Sequence, residues 1–145
     1  MKLVIQRVKQ ASVAVNGREI SRIGKGLLIL IGISKDDDSS QIGWLAKKAV
    51  NLRIFEDEQD KMNLSLKDIN GEILLVSQFT LYGSCKKGRR PDFLNAAKPG
   101  KAERMYLDFA EAIRQNDIIP KLGKFDEHMD ITLLNDGPVT MILER

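Results

Sequence analysis

The chain has 145 residues, 43% apolar and 30% charged, and its 23 Lys and Arg against 20 Asp and Glu leave a formal charge of +3, which fits a single domain (1–145) able to bury about two-thirds of its unfolded surface without a metal clip. One cysteine, Cys85, excludes an internal disulfide. The longest apolar run, residues 26–33, is far short of the roughly 20 residues that span a bilayer, and the amino terminus lacks the zones of a secretory signal, so a reducing cytoplasm, with no membrane partner, is the expected location.

Leu3, Ile5 and Arg7 alternate with Val4, Gln6 and Val8, and the extended pattern returns over residues 12–15 before Asn16-Gly17, the dipeptide of a two-residue hairpin. Residues 26–33 are short, Leu- and Ile-rich and bounded by glycine and Asp36-Asp37-Asp38, which predicts a strand buried on both faces. The acidic runs at 36–38 and 56–60 read as solvated loops or helix starts. Asp38 or Ser39 is placed to cap a helix whose apolar positions Ile42, Leu45, Ala46, Ala49 and Val50 recur at helical spacing, with Trp44 beside them. Asn70-Gly71 ends a polar loop, and residues 73–79 read as a central strand that runs into polar groups at its carboxyl end. Pro99-Gly100 opens the clearest helix, with Ala102, Met105, Tyr106, Phe109, Ala110 and Ile113 on one stripe. Two terminal strands, 130–134 and 139–143, are expected on either side of Asn135-Asp136-Gly137-Pro138. The predicted architecture is α+β: helices covering a mostly antiparallel sheet or open β-barrel.

Charge is distributed unevenly. Lys86, Lys87, Arg89, Arg90, Lys98, Lys101 and Arg104 face only Asp92 and Glu103 within residues 86–104, a segment net of +5, so the remainder sums to −2. A local basic block on a slightly acidic body suits one face meeting a polyanion, whereas a coat for long nucleic acid is basic throughout. A solvated basic loop is the plainer alternative.

Conventional side-chain catalysis is short of parts. One His and one Cys without paired ligand spacing argue against a metal site, and no phosphate-binding glycine loop or dinucleotide fingerprint occurs. No cofactor is expected. Nothing in the sequence joins Cys85 to His128, and His128 among Asp126, Glu127 and Asp130 reads as a solvated imidazole. Two segments stand out. Over Ser77-Gln78-Phe79-Thr80-Leu81, alternation puts Ser77 and Phe79 on one face and Gln78 and Thr80 on the other; a strand edge tying down backbone groups explains the same residues. The second, Asn135-Asp136-Gly137-Pro138-Val139-Thr140, is explained equally by a tight turn, although Gly-Pro also fixes main-chain carbonyls.

SQFTL at 77–81 and NDGPVT at 135–140 resemble the two signature motifs of the D-aminoacyl-tRNA deacylases, formerly called D-tyrosyl-tRNA deacylases. The resemblance runs almost end to end, through LVIQRVKQASVAVNG, RIGKGLLILIGI, KGRRPDF and the approach from Met129 to Thr140. Asp126-Glu127-His128 departs from it, where members more often carry Gly-Ala-Asp. The resemblance implies a deacylase-like fold and a cytoplasmic homodimer that hydrolyses the ester between a D-amino acid and the 3′-terminal adenosine of tRNA. It implies catalytic roles for Ser77, Gln78, Phe79 and Thr80, with substrate held by Gly137, Pro138, Met129 and Asn135. Gly137-Pro138 is implied to be a cis pair reaching into the partner subunit's site. An activated ester needs a positioned water and a stabilised oxyanion, and backbone amides at the end of the SQFT strand are candidates for the oxyanion site. Neither motif offers Thr80 a base, so a positioning role is preferred for it, and the family's reading takes help from the ribose 2′-hydroxyl. Exclusion of an L side chain by a rigid wall admits glycyl-tRNA as a substrate. Lys86, Lys87, Arg89 and Arg90 are expected on acceptor-end phosphates. A non-catalytic RNA-binding module, and a general esterase using Ser77 or Thr80, are the rival readings.

Overall fold

Strand β1 (Lys2–Val15) organises the sheet. The computed structural model describes residues 1–86 and 88–145, and Lys87 lies outside them. Asn16 and Gly17 both take positive φ, 51° and 74°, the geometry of a tight hairpin turn. The turn returns the chain as β2 (Arg18–Ile23), antiparallel to the second half of β1. β3 (Gly26–Gly32) continues along the same edge opposite the first half, with Val8 facing Gly26 and Lys2 facing Gly32. The other edge of β1 pairs along nearly its whole length with β8 (Asp130–Glu144).

Beyond β3 the sheet turns parallel, to β6 (Glu72–Ser77) and then β7 (Lys121–Leu122). Ser21 Oγ donates to the Leu122 carbonyl at 2.5 Å, and Lys121 Nζ donates to that of Arg22 at 2.6 Å. These contacts curl β2 toward β7 into a nearly closed barrel. A small hairpin, β4 (Phe55–Glu56) with β5 (Met62–Leu64), stands apart from the sheet. Helices α1 (Ser40–Val50) and α2 (Pro99–Arg114) cover one face, so the α+β barrel expected from the sequence is the observed fold.

The period-2 pattern divides the apolar residues between two cores. Leu3, Ile5, Leu27, Ile29, Ile31, Ile73 and Leu75 pack under the stripes of α1 and α2, where Tyr106 and Phe109 are buried. Val8, Val13, Leu28, Leu74 and Val76 fill the inside of the curl. The cap of α1 comes from Asp38, whose Oδ1 accepts the Ser40 amide at 2.8 Å, while Ser39 makes no capping bond.

Three expectations are corrected. Asp37 is buried rather than solvated; its Oδ1 accepts the Met1 ammonium at 2.6 Å and its Oδ2 the Ser34 amide at 2.7 Å, the partners a buried carboxylate requires. The central strand ends at Ser77, because the chain winds into a 3-10 turn over Phe79–Tyr82. The two terminal strands are one continuous strand, β8, which carries a bulge at Asn135-Asp136-Gly137-Pro138. Val8 faces Asn135 while Gln6 faces Thr140, so extra residues of β8 are looped out opposite Arg7. Pairing with β1 on both sides holds the strand in line where the local sequence reads as a turn.

Candidate active site

The end of β6 is fixed to β3: Ser77 pairs with Ile31, and the Gln78 amide donates to the Ile31 carbonyl at 2.8 Å. Bonds from the Leu81 amide to Gln78 O (3.2 Å) and from the Gly83 amide to Thr80 O (2.9 Å) then close the turn. The strict two-face alternation expected over 77–80 therefore breaks after Gln78. Thr80 Oγ1 accepts a hydrogen bond from the Gln78 side-chain amide, so its hydroxyl is oriented by an amide and not by a base. Among the described residues the Phe79 and Thr80 amides have no acceptor. Both lie in the first turn of a helical segment, where amides go unpaired.

Phe79, 56% exposed, meets Phe93 edge-on with ring centroids 4.9 Å apart. Ser77, Gln78 and Phe79 form one wall of a cavity of about 610 Å³. Ile31, Ile33 and Val76 lie behind them, and Phe93, Ala96, Ala97, Pro99 and Ala102 bring in the start of α2. Phe125, Met129 and Ile131 contribute another apolar part of the lining. The divergent run Asp126-Glu127-His128 also borders this cavity. His128 is exposed, as expected, and among the described residues makes no hydrogen bond to Ser77 or Thr80; its Nε2 is 3.8 Å from an Asp130 oxygen.

Asn135, Gly137 and Pro138 are exposed and line no part of this cavity in their own chain. The Gly137-Pro138 bond is cis. Behind the bulge lies Arg7, only 3% exposed. Its Nη1 donates to Ile54 O at 2.6 Å, its Nε to Asp136 O at 3.2 Å and its Nη2 to Glu56 Oε1 at 3.2 Å, with Asp136 Oδ2 3.3 Å from Nε. Gly137 has φ +121°, and a Cβ there would lie 3.0 Å from Arg7 Nη2 and 2.8 Å from Val139 Cγ2.

The family model described as D-Tyr-tRNA(Tyr) deacylase matches residues 4–144. The chain belongs to this family. It is 53% identical to the D-aminoacyl-tRNA deacylase of Exiguobacterium sibiricum, over all of both chains. It is 52% identical to the one of Thermosipho africanus, over 99% of this chain and 97% of that one. A solved structure described as c-Myc DNA Unwinding Element Binding Protein superposes with a TM-score of 0.93 at 44% identity, covering 100% of this chain and 99% of that one. A second, of a probable eukaryotic D-amino acid tRNA deacylase, shares the fold with a TM-score of 0.80 at 20% identity, over 98% of this chain and 97% of that one.

Of the residues that the deacylase resemblance singles out, Ser77, Gln78, Phe79 and Met129 meet at one cavity, with Thr80 adjoining through Gln78. Asn135, Gly137 and Pro138 form a separate outward projection. Lys86, Arg89 and Arg90 are exposed on a loop closed by paired amide bonds between Ser84 and Asp92, of 2.8 and 3.0 Å. The loop leads through Asp92 into Phe93 at the cavity. Lys87 belongs to the same predicted set and lies outside the described residues. Cys85 is exposed. Sequence reasoning missed Arg7; its signal was a cation at the third position of the Leu3, Ile5 alternation, on the face that is otherwise buried.

Proposed function

We propose that this domain is a D-aminoacyl-tRNA deacylase: it adds water across the ester between a D-amino acid and the 3′-terminal adenosine of tRNA, releasing free amino acid and intact tRNA. The observation that carries the reading is an apolar, aromatic-edged cavity lined by Phe79, whose amide, like that of the adjoining Thr80, has no acceptor among the described residues. Such a cavity suits a nucleobase, which unstacked RNA ends bury against aromatic rings. The amides beside it are donors for the oxyanion formed when water attacks the ester carbonyl. End-to-end identity to relatives named for this reaction supports the assignment.

In the proposed reaction, water oxygen bonds to the acyl carbon, the bond from that carbon to the ribose 3′-oxygen breaks, and the proton of the water passes to the departing oxygen. The 2′-hydroxyl assists the attack. Thr80, held by Gln78, positions; Ser77, Gln78, Phe79 and Met129 line the pocket. Gly137, Pro138 and Asn135 are supplied by a second copy and surround the substrate's amino group and Cα, leaving no volume for an L side chain, while Arg7 fixes their carrier strand from behind. Lys86, Lys87, Arg89 and Arg90 meet phosphates of the acceptor end. One relative is named for binding DNA, but a single basic loop beside a pocket suits a single-stranded end better than a duplex. The domain is expected to act in the cytoplasm.

The test is hydrolysis of D-tyrosyl-, L-tyrosyl- and glycyl-tRNA by the purified protein. Cleavage of the first and third with sparing of the second is expected. No cleavage of D-tyrosyl-tRNA, or equal cleavage of the L form, contradicts the reading. A D-tyrosyl-tRNA ending in 2′-deoxyadenosine, acylated on its 3′-hydroxyl, is expected to react far more slowly.

A further inference from the structure

Gly123 follows β7 and is pinned to the sheet. Its amide donates to the Leu75 carbonyl at 2.8 Å. The same carbonyl accepts the buried Tyr106 hydroxyl at 2.8 Å, and the Gly123 carbonyl lies 3.5 Å from that hydroxyl. Burial pushes the Tyr106 hydroxyl pKa above its ordinary value, so it stays a donor across the accessible pH range. The main chain at 123 is therefore firm.

A Cβ at this position would lie 2.9 Å from Met129 Sδ, with Val76 Cγ2 and Cγ1 at 3.4 and 3.6 Å. Met129 and Val76 both line the cavity. Carbon and sulfur do not rest at 2.9 Å, so one partner must yield. The thioether is the soft one: methionine is unbranched and turns about three bonds, whereas the peptide at 123 is hydrogen-bonded at its amide.

We propose that Gly123 is a positioning residue that sets the depth of the cavity by giving the Met129 thioether a place to lie back. This rests on the cavity being the seat of the terminal adenosine. A methyl group at 123 pushes the sulfur toward the open space on its other side, the cavity, and shrinks the room for the base. The lesion is one of binding: KM for D-tyrosyl-tRNA rises, kcat is largely kept, and preference for D over L is unchanged.

The experiment compares wild type, Gly123→Ala, Met129→Ala and the double variant by steady-state kinetics, and follows the Met129 methyl resonance in protein labelled with 13C at methionine methyls, assigned by its loss in Met129→Ala. Gly123→Ala is expected to shift that resonance and raise KM by about tenfold, the scale of one methylene misplaced in an apolar pocket. Adding Met129→Ala to it should lower KM again, because the displaced group is gone. Wild-type KM and an unmoved resonance in Gly123→Ala overturn the proposal. Loss of folding overturns it too, since the main chain and not the thioether would then have given way. A resonance that moves in Gly123→Ala but is not perturbed by adenosine 5′-monophosphate in the wild type leaves the Gly123–Met129 contact standing and instead removes the adenosine reading of the cavity.

Discussion

The turn at Phe79–Tyr82 and the bulge at 135–138 are both polar interruptions of the same sheet, and they are built in opposite senses. The turn follows the buried strand β6 and adjoins a cavity that its own chain completes, from Ile31 behind to Met129 in the lining. Behind the bulge the buried element is a charge, Arg7, which holds Asp136 from within, while Gly137 and Pro138 are exposed and absent from the lining of the cavity beside Phe79. One is a receptacle and the other a braced projection outside it. Between described residues, β8 pairs only with β1, and it exposes Leu134 and, at 65%, Ile142. Apolar side chains along an unpaired edge invite a second copy. The difference is what motivates assigning the two halves of each site to different subunits.

The comparison can be broken most severely at Arg7. Arg7→Ala leaves Asp136 and the Ile54 carbonyl without their donor, and removing one member of a buried charged set costs about 3 kcal/mol. Urea unfolding should register that loss together with loss of D-selective hydrolysis. Unchanged stability would mean that the guanidinium does not brace the bulge. Gly137→Ala should act on the projection alone. Its φ of +121° and the 2.8 Å approach to Val139 Cγ2 impose backbone strain on any side chain, of about 1–3 kcal/mol. Deacylation should fall about a hundredfold, as expected when reacting groups are misplaced by an ångström, while adenosine 5′-monophosphate binding stays at the wild-type level. Phe79→Ala should do the reverse, losing an edge-on aromatic contact worth about 1 kcal/mol and weakening nucleotide binding without altering the ratio of D to L cleavage. If both variants changed binding and selectivity alike, the division into two halves would not hold. The smallest effect is sought at the basic loop. Neutralising Arg89 and Arg90 should raise KM and reduce the logarithmic salt dependence by about one to two, as for two lost phosphate contacts; an unaltered salt slope would place the loop away from tRNA.

What the sequence made legible was whatever depends on neighbours in the chain. The stripe of α2, the doubly buried β3 and the Asn16-Gly17 turn each follow from local periodicity or turn chemistry, and each is found. The misread segments depend on remote partners. Asn135-Asp136-Gly137-Pro138 has the composition of a turn, but ladders to β1 on both sides keep β8 straight through it. Asp37 looked solvated because its partner, the Met1 ammonium, lies 36 residues away. Arg7 is satisfied by Ile54, Glu56 and Asp136, none of which local patterning connects to it. Met129 joined Ser77, Gln78 and Phe79 only through family resemblance, since no spacing rule links the strand end at 77 to the residue before β8. The rim position of Asp126-Glu127-His128 was likewise invisible until Phe125 and Met129 were seen on either side of it in the cavity lining.

The proposed sharing of each site between two copies is tested most directly by complementation. Phe79→Ala damages only the receptacle and Gly137→Ala only the projection. The two impaired proteins are refolded together to allow random pairing, and D-tyrosyl-tRNA hydrolysis, at substrate below KM, is measured against the average of the two parents refolded alone. Half of the dimers are then mixed, and each mixed dimer has one site with both lesions and one with neither, so activity should rise above that average, the intact sites alone contributing about a quarter of wild type. A mixture no more active than its parents would contradict the account, because a site made within one chain cannot be repaired by a partner.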